Sequence, residues 1–261
     1  MSEPAHIIPN PWAALRQLTQ ARIALGRAGI SVPTQAQLAF QLAHARARDA
    51  VHTALDANAL AVSLAPLELG SVIVDSACPD RAIYLQRPDL GRSLSDASRS
   101  LLAPSPCDLV LVLADGLSAL ALAQNARPFL EILLPRLAQD GWQLAQLVIV
   151  RQGRVAIGDD IAATLGARAV VVLIGERPGL SSPDSMGVYL TWGPHAGSTD
   201  AERNCISNVR PAGLAYQDAA YRLHYLLSEA RRRGLSGVAL KDDTDSQPAA
   251  LGPVRKNFLL R

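Results

Sequence analysis

The stretch "QLVIVRQGRVAIGDDIAATLGARAVVVLIG" (residues 146–175) decides the fold. Its first part, "QLVIVRQG" (146–153), and its last, "RAVVVLIG" (168–175), are short apolar runs rich in Val, Ile and Leu. Between them "DDIAATLG" (159–166) carries a helical pattern that ends on glycine. Strands that run continuously apolar, separated by helices, are the signature of a mostly parallel sheet covered on both faces.

The same alternation extends outward. "SVIVD" (71–75) and "CDLVLVLAD" (107–115) read as further strands, and "MGVYLTWG" (186–193) as an added edge strand. Helical patterns fill "PDLGRSLSDASRSLL" (88–102) and "LSALALAQ" with "RPFLEILLPRLAQDG" (117–141). In "YQDAAYRLHYLLSEARRRG" (216–234), Ala220, Leu223, Leu227 and Ala230 face one way. Arg231 to Arg233 suit the C-terminal dipole of that helix, and Gly234 ends it. Upstream, "NPWAALRQLTQARIALGRAG" (10–29) reads as a helix capped by Asn10 with Pro11 in its first turn, and "PTQAQLAFQLAHARARDAVHTAL" (33–55) as a second. The expected organisation is a small helical N-terminal domain (1–65), a Rossmann-like α/β domain (66–240) and a mobile tail (241–261).

The chain has 261 residues, 49% of them apolar and 18% charged, enough to bury a large core. A formal charge of +2 is too balanced for a nucleic-acid protein. Cys78, Cys107 and Cys205 are odd in number and lack CxxC spacing, which argues against a disulfide framework and a zinc site. No secretory signal and no apolar run of membrane-spanning length is present, so the reading is a soluble, cytoplasmic protein.

In open parallel sheets ligands bind outside the C-terminal ends of strands. Four segments qualify by position or composition: "ADGLSA" (114–119), "RQGRVAIGDD" (151–160), "GERPGLSSPDS" (175–185) and "TDAERNCISNVRPAG" (199–213). None is a generic motif: there is no GxGxxG after the first strand, no Walker loop, no GxSxG and no HExxH. The five histidines are scattered without metal-ligand spacing. On spacing alone Asp115-Gly116 is a turn with its carboxylate near a helix start, Glu176-Arg177 a surface salt bridge, Val155 packing, and Cys205 an inert thiol.

Taken together, however, "ARIALGRAG" (21–29), "PTQAQLAF" (33–40), "YLQRPDLGRSL" (84–94), "ADGLSA", "RQGRVAIGDDI", "GERPGL" and "ERNCISNV" (202–209) resemble the small (light) subunit of ethanolamine ammonia-lyase. The matches keep the family's order over roughly residues 12–235. The resemblance implies an adenosylcobalamin-dependent lyase that converts ethanolamine to acetaldehyde and ammonia. Its large subunit, a (β/α)8 barrel, would hold the substrate, while this chain encloses the nucleotide side of the cofactor. The chain would be inactive alone, in a hetero-oligomer with several copies of each subunit.

The resemblance also places cofactor contacts on Val155, Glu176 and Cys205, with Arg154, Arg177 and Asn208 as neighbours. It assigns no catalytic residue and no metal ligand to this chain. The DxHxxG motif of cobalamin enzymes that supply a histidine ligand is absent, so the cofactor is expected to keep its own base. The short segment before Pro11 favours the cytosol over a bacterial microcompartment, and the tail after Lys241 holds none of the segments that carry the resemblance. Two other classes remain open: a free-standing nucleotide-binding α/β enzyme using "ADGLSA" as its turn, and a non-catalytic scaffold subunit.

Overall fold

The computed structural model describes residues 7–104 and 107–244. Residues 1–6 and most of the tail expected over 241–261 lie outside the described residues. The four apolar runs form strands β1 (Ser71–Asp75), β2 (Leu109–Ala114), β3 (Leu147–Arg151) and β4 (Ala169–Gly175). They pair in parallel, with Val112 of β2 opposite both Val148 of β3 and Val172 of β4. β5 (Met186–Trp192) and β6 (Arg203–Val209) then add antiparallel, giving the order β1-β3-β2-β4-β5-β6.

Helices lie on both faces, as the uninterrupted apolar strands require. On one face α2 (Ala57–Leu64), α5 (Ala119–Gln139) and α7 (Tyr216–Arg233) pack against Leu109, Leu111 and Leu113 of β2. On the other, α6 (Ile157–Leu165) packs with Val110, Val112, Val170 and Val172. Alternate residues of each strand thus serve opposite cores. The connection β2–α5–β3 steps to one side of β2 and β3–α6–β4 returns to the other. The order therefore reverses between β2 and β4, and a crevice opens at their C-terminal ends.

Three expectations need correction. The helix read over 10–29 is a single 3-10 turn, Ala13–Gln17, followed by irregular chain. Asn10 does not cap it: the residue before the turn is Trp12, and the Asn10 side chain instead accepts from the Trp12 N–H at 2.9 Å. The chain then turns at Ala24 and Gly26, both at positive φ, and pairs Ile8 with Arg27. Leu15, Leu18 and Leu25 have the spacing but no core to face, and an amphipathic helix owes most of its stability to packing. The second N-terminal helix does form, as α1 (Thr34–His52), and a short α3 (Arg81–Gln86) follows β1.

The helix read over 88–102 is broken into a 3-10 turn, Leu90–Arg92, and the short α4 (Asp96–Arg99). Ser95 restarts it by accepting from the Ser98 N–H at 3.2 Å. Finally, β5 is not an edge strand. "RNCISNV", read as a loop, is the edge strand β6. It buries only Arg203, Ile206 and Val209, and its polar, half-exposed character suits an edge that must resist pairing with other chains.

Candidate functional site

On the α7 side, β5 and β6 are covered: Val188, Leu190, Ile206 and Val209 lie in that core. On the α6 side they present Gly187, Tyr189 and Thr191 of β5 and Cys205 and Arg203 of β6, in register. Cys205 is exposed there. Thr191 and Arg203 are buried there under Asp159 of α6, so the accessible part of this face is the strip of Tyr189 and Cys205 beside the C-terminal end of β4.

Glu176 stands where the crevice meets the strip. Its N–H donates to the Ser185 carbonyl at 2.9 Å, which pins the start of the 177–185 loop. Its Oε2 accepts from the Ser185 hydroxyl and from the Asn208 N–H at 3.3 Å. Its Oε1 faces Gly187, where a Cβ would come within 3.0 Å. A built Cβ at Gly187 would also meet the Tyr189 ring at 3.1 Å, so only glycine leaves this carboxylate and ring side by side. Burial, and then the neighbouring Cys205 thiol and Glu176 carboxylate, raise the pKa of the Tyr189 hydroxyl, which stays neutral. Cys205 itself sits 3.3 Å from the Ser207 hydroxyl.

Val155 belongs to the turn between β3 and α6 and is packed, partly buried, on the α6-side core. It lines a cleft of about 580 Å³ with Pro88, Arg92, Arg154 and Arg203. The far wall of that cleft is tied down by a buried ion pair. The Arg203 guanidinium donates twice to Asp159 of α6, both at 2.7 Å, and also to Thr191 and the Ser198 carbonyl, each at 3.0 Å.

Beneath the turn lies a second charged group. Asp115, buried at the end of β2, accepts from the Gly153 N–H at 3.0 Å and faces the Arg81 guanidinium at 3.4 Å. It is not the cap of α5; Ser118 is, accepting from the Ala121 N–H at 3.2 Å. Burial outweighs Arg81 and the backbone donors and lifts the Asp115 pKa from 3.8 to about 6. The folded state therefore holds this proton more tightly than the unfolded chain. The resulting stability is full below about pH 4 and is lost as pH rises through about 6, a change of about 3 kcal/mol. Unfolding free energies measured from pH 4 to 7 should carry this slope, and Asp115→Asn should flatten it.

The fold places the three residues named from the sequence in two neighbouring locations. Glu176 and Cys205 flank Tyr189 on one strip, and Val155 opens onto a cleft of the same sheet face. Glu176 makes no ion pair with Arg177, whose side chain is exposed; among the described residues its partners are Ser185 and Asn208. Tyr189 and Gly187 were missed. Their signal is the alternation in "MGVYLTW", where Gly, Tyr and Thr mark one face and Met, Val, Leu and Trp the other. No group of three or more His, Cys, Asp or Glu arranged for a metal occurs among the described residues, and no helix there is long and apolar enough to cross a membrane.

Fold and site define an α/β protein with a switch-point crevice beside a partly exposed, polar stretch of the sheet's antiparallel edge. Within that class, the family model described as "Ethanolamine ammonia-lyase light chain (EutC)" matches residues 9–241. The chain is 55% identical over 269 aligned residues to the ethanolamine ammonia-lyase small subunit of Pseudomonas fluorescens (strain Pf0-1), covering 100% of this chain and 98% of the relative. It is 57% identical over 242 residues to that of Pseudomonas putida (strain W619), covering 90% and 89%. It is 53% identical over 263 residues to that of Ralstonia nicotianae, covering 98% and 97%. The chain belongs to the ethanolamine ammonia-lyase small-subunit family.

Proposed function

We propose that this chain is the small subunit of an adenosylcobalamin-dependent ethanolamine ammonia-lyase, which binds the cofactor jointly with a large subunit. The observation that carries the reading is the strip on which Glu176, Tyr189 and Cys205 stand together, beside the cleft lined by Val155. Cobalamin, when bound, supplies the radical chemistry of carbon–nitrogen cleavage; its rim carries primary amides, and its nucleotide base is flat and apolar.

The residues present fit those groups. Glu176 has an oxygen, Oε1, turned toward the open strip, and a carboxylate is a strong acceptor for amide N–H. Val155 and the Tyr189 ring give apolar surface, and the Cys205 thiol a polarizable contact. The Gln152 Oε1 and the Arg154 Nε, in the turn that leads to Val155, are buried without a protein partner. Arg154, Asn208 and exposed Arg177 are the neighbouring groups. In this role the chain binds and orients, and the large subunit completes the enclosure that keeps water from the reacting centre.

The exposed apolar side chains of residues 7–42, among them Trp12, Ile30, Leu38 and Leu42, support burial against a large partner. The assembly would contain several copies of each subunit. Three free thiols suit the reducing cytosol, where we place it.

The test is co-expression with a candidate large subunit, followed by cobalamin-dependent acetaldehyde release from ethanolamine. Acetaldehyde release by this chain without its partner would overturn the proposal. Within the complex, Glu176→Gln keeps the carboxylate's shape and its acceptor for Ser185 but removes the charge. Loss of one charge-assisted hydrogen bond, about 1.5–3 kcal/mol, should weaken the apparent cobalamin affinity about tenfold or more while assembly is unchanged. An unchanged affinity would remove Glu176 from the site.

A further inference from the structure

The turn that delivers Val155 is gripped from within the protein by side chains to which the family resemblance gives no role. Gln152 holds a positive φ of 59°, which costs a non-glycine residue free energy and persists only where the surroundings enforce it. The enforcement falls on the next residue. The Gly153 N–H donates to the buried Asp115 carboxylate at 3.0 Å, and the Gly153 carbonyl accepts from the Tyr84 hydroxyl at 3.0 Å. Both partners are themselves fixed. The Arg81 guanidinium faces Asp115, donates to the Gly116 carbonyl at 2.9 Å and to the Val51 carbonyl at 2.8 Å, and lies 4.7 Å from the Tyr84 ring. The Arg154 guanidinium covers the same ring at 4.1 Å and donates to the Tyr84 carbonyl at 3.1 Å. A tyrosine with no exposed surface thus stands among two guanidiniums and a peptide carbonyl.

We propose that Tyr84 and Asp115 are positioning residues: together they clamp Gly153 and so aim the Arg154-Val155 wall of the cleft at the cofactor. This rests on the cobalamin reading of the cleft. The clamp reaches the ligand only through the turn, because Tyr84 has no accessible surface from which to touch it. Burial raises the Tyr84 pKa, so the hydroxyl remains a donor across the pH range in which the enzyme would work. The segments "YLQRPDLGR", "ADGLS" and "RQGRV", distant in sequence, supply Tyr84, Asp115 and Gly153, the three parts of the clamp.

Tyr84→Phe removes one hydroxyl and keeps the ring between its arginines, so the fold is retained. The test titrates hydroxocobalamin into the purified two-subunit complex and follows the visible spectrum, with hydrogen exchange of the 152–157 segment measured in parallel. Tyr84→Phe should weaken binding roughly five- to tenfold and speed exchange in the turn, while the melting temperature of the complex barely moves. Asp115→Asn, which still offers an oxygen to the Gly153 N–H, should bind close to wild type, whereas Asp115→Leu should not. Wild-type affinity in Tyr84→Phe, with or without faster exchange, overturns the positioning role. A wild-type complex that takes up no cobalamin overturns the cofactor reading itself, and with it this role.

Discussion

Arg203→Met should lower the unfolding free energy of the chain by about 3–5 kcal/mol, and adding Asp159→Leu should restore most of that loss. The side chains of Arg203 and Asp159 are 3% and 8% exposed, so neither charge can fall back on water. Their geometry is bidentate, and the remaining guanidinium hydrogens go to Thr191, the Ser198 carbonyl and, from Nε at 3.4 Å, the exposed Asp200 carboxylate. Removing the arginine leaves a buried carboxylate whose partner is gone, and that orphaned charge, more than the lost attraction, sets the cost. Replacing both ends with apolar side chains of similar volume removes the orphan, which is why the double variant should recover. Urea unfolding of the four proteins gives the cycle directly. Near-additive single losses would place both charges in solvent and contradict the burial. The pair also fastens α6 to the edge strand β6, so the single variant should loosen the cleft wall that the double variant rebuilds.

That ion pair marks the boundary of what could be read from residues alone. The central strands β2 and β4 were legible because burial on both faces leaves no polar position in them, and β1 and β3 carry polar residues only at their ends: "LVLVLA" of β2 has every residue buried. The same physics makes β6 illegible. One face of "RNCISNV" meets α7, while on the other Arg203 is buried against Asp159 of α6 and Cys205 is exposed, so its charges and amides read as loop. Arg203 looks like a surface residue until Asp159, forty-four positions earlier, is placed opposite it. Strand order was unreadable for a related reason: a crossover helix joins parallel strands without stating which side of the sheet it returns to.

The candidate site was legible only through its company. Glu176 beside Arg177 is, on spacing, a surface ion pair. The backbone instead turns Glu176 toward Ser185, Asn208 and the open strip and leaves Arg177 outside. Five of the segments that carry the family resemblance meet in two hydrogen-bonded groups: Tyr84, Asp115 and Gly153 in one, and Glu176 with Asn208 in the other. No single segment contains that information. Tyr189 escaped notice because a strand pattern explains a tyrosine without invoking a site.

Gly175→Ala should be among the most damaging single substitutions in the chain, costing at least about 4 kcal/mol and leaving little folded protein. A Cβ at Gly175 would lie 2.0 Å from the Ser118 carbonyl oxygen and 2.6 Å from that of Asp115. Both obstacles are backbone, so no rotamer change relieves them. The approach is reciprocal: Gly116, at φ 55°, has room for no Cβ either, with the Gly175 oxygen 2.2 Å from where one would sit. This is the switch point itself, where the chain leaving β2 crosses the end of β4 and the Leu117 N–H donates to the Gly175 carbonyl at 2.9 Å. Gly166→Ala is the control. Gly166 also has a positive φ, 77°, but nothing lies within 4 Å of its missing Cβ, so only the backbone term of about 1–2 kcal/mol applies. A melting-temperature series on the two variants separates contact from conformation, and equal losses would refute the crossing as the cause. Any Gly175 variant that does fold moves the residue before Glu176. Under the proposed cobalamin role, the cofactor affinity of such a variant should fall even where its stability is rescued, because the close backbone approach at the end of β4 also sets the position of Glu176.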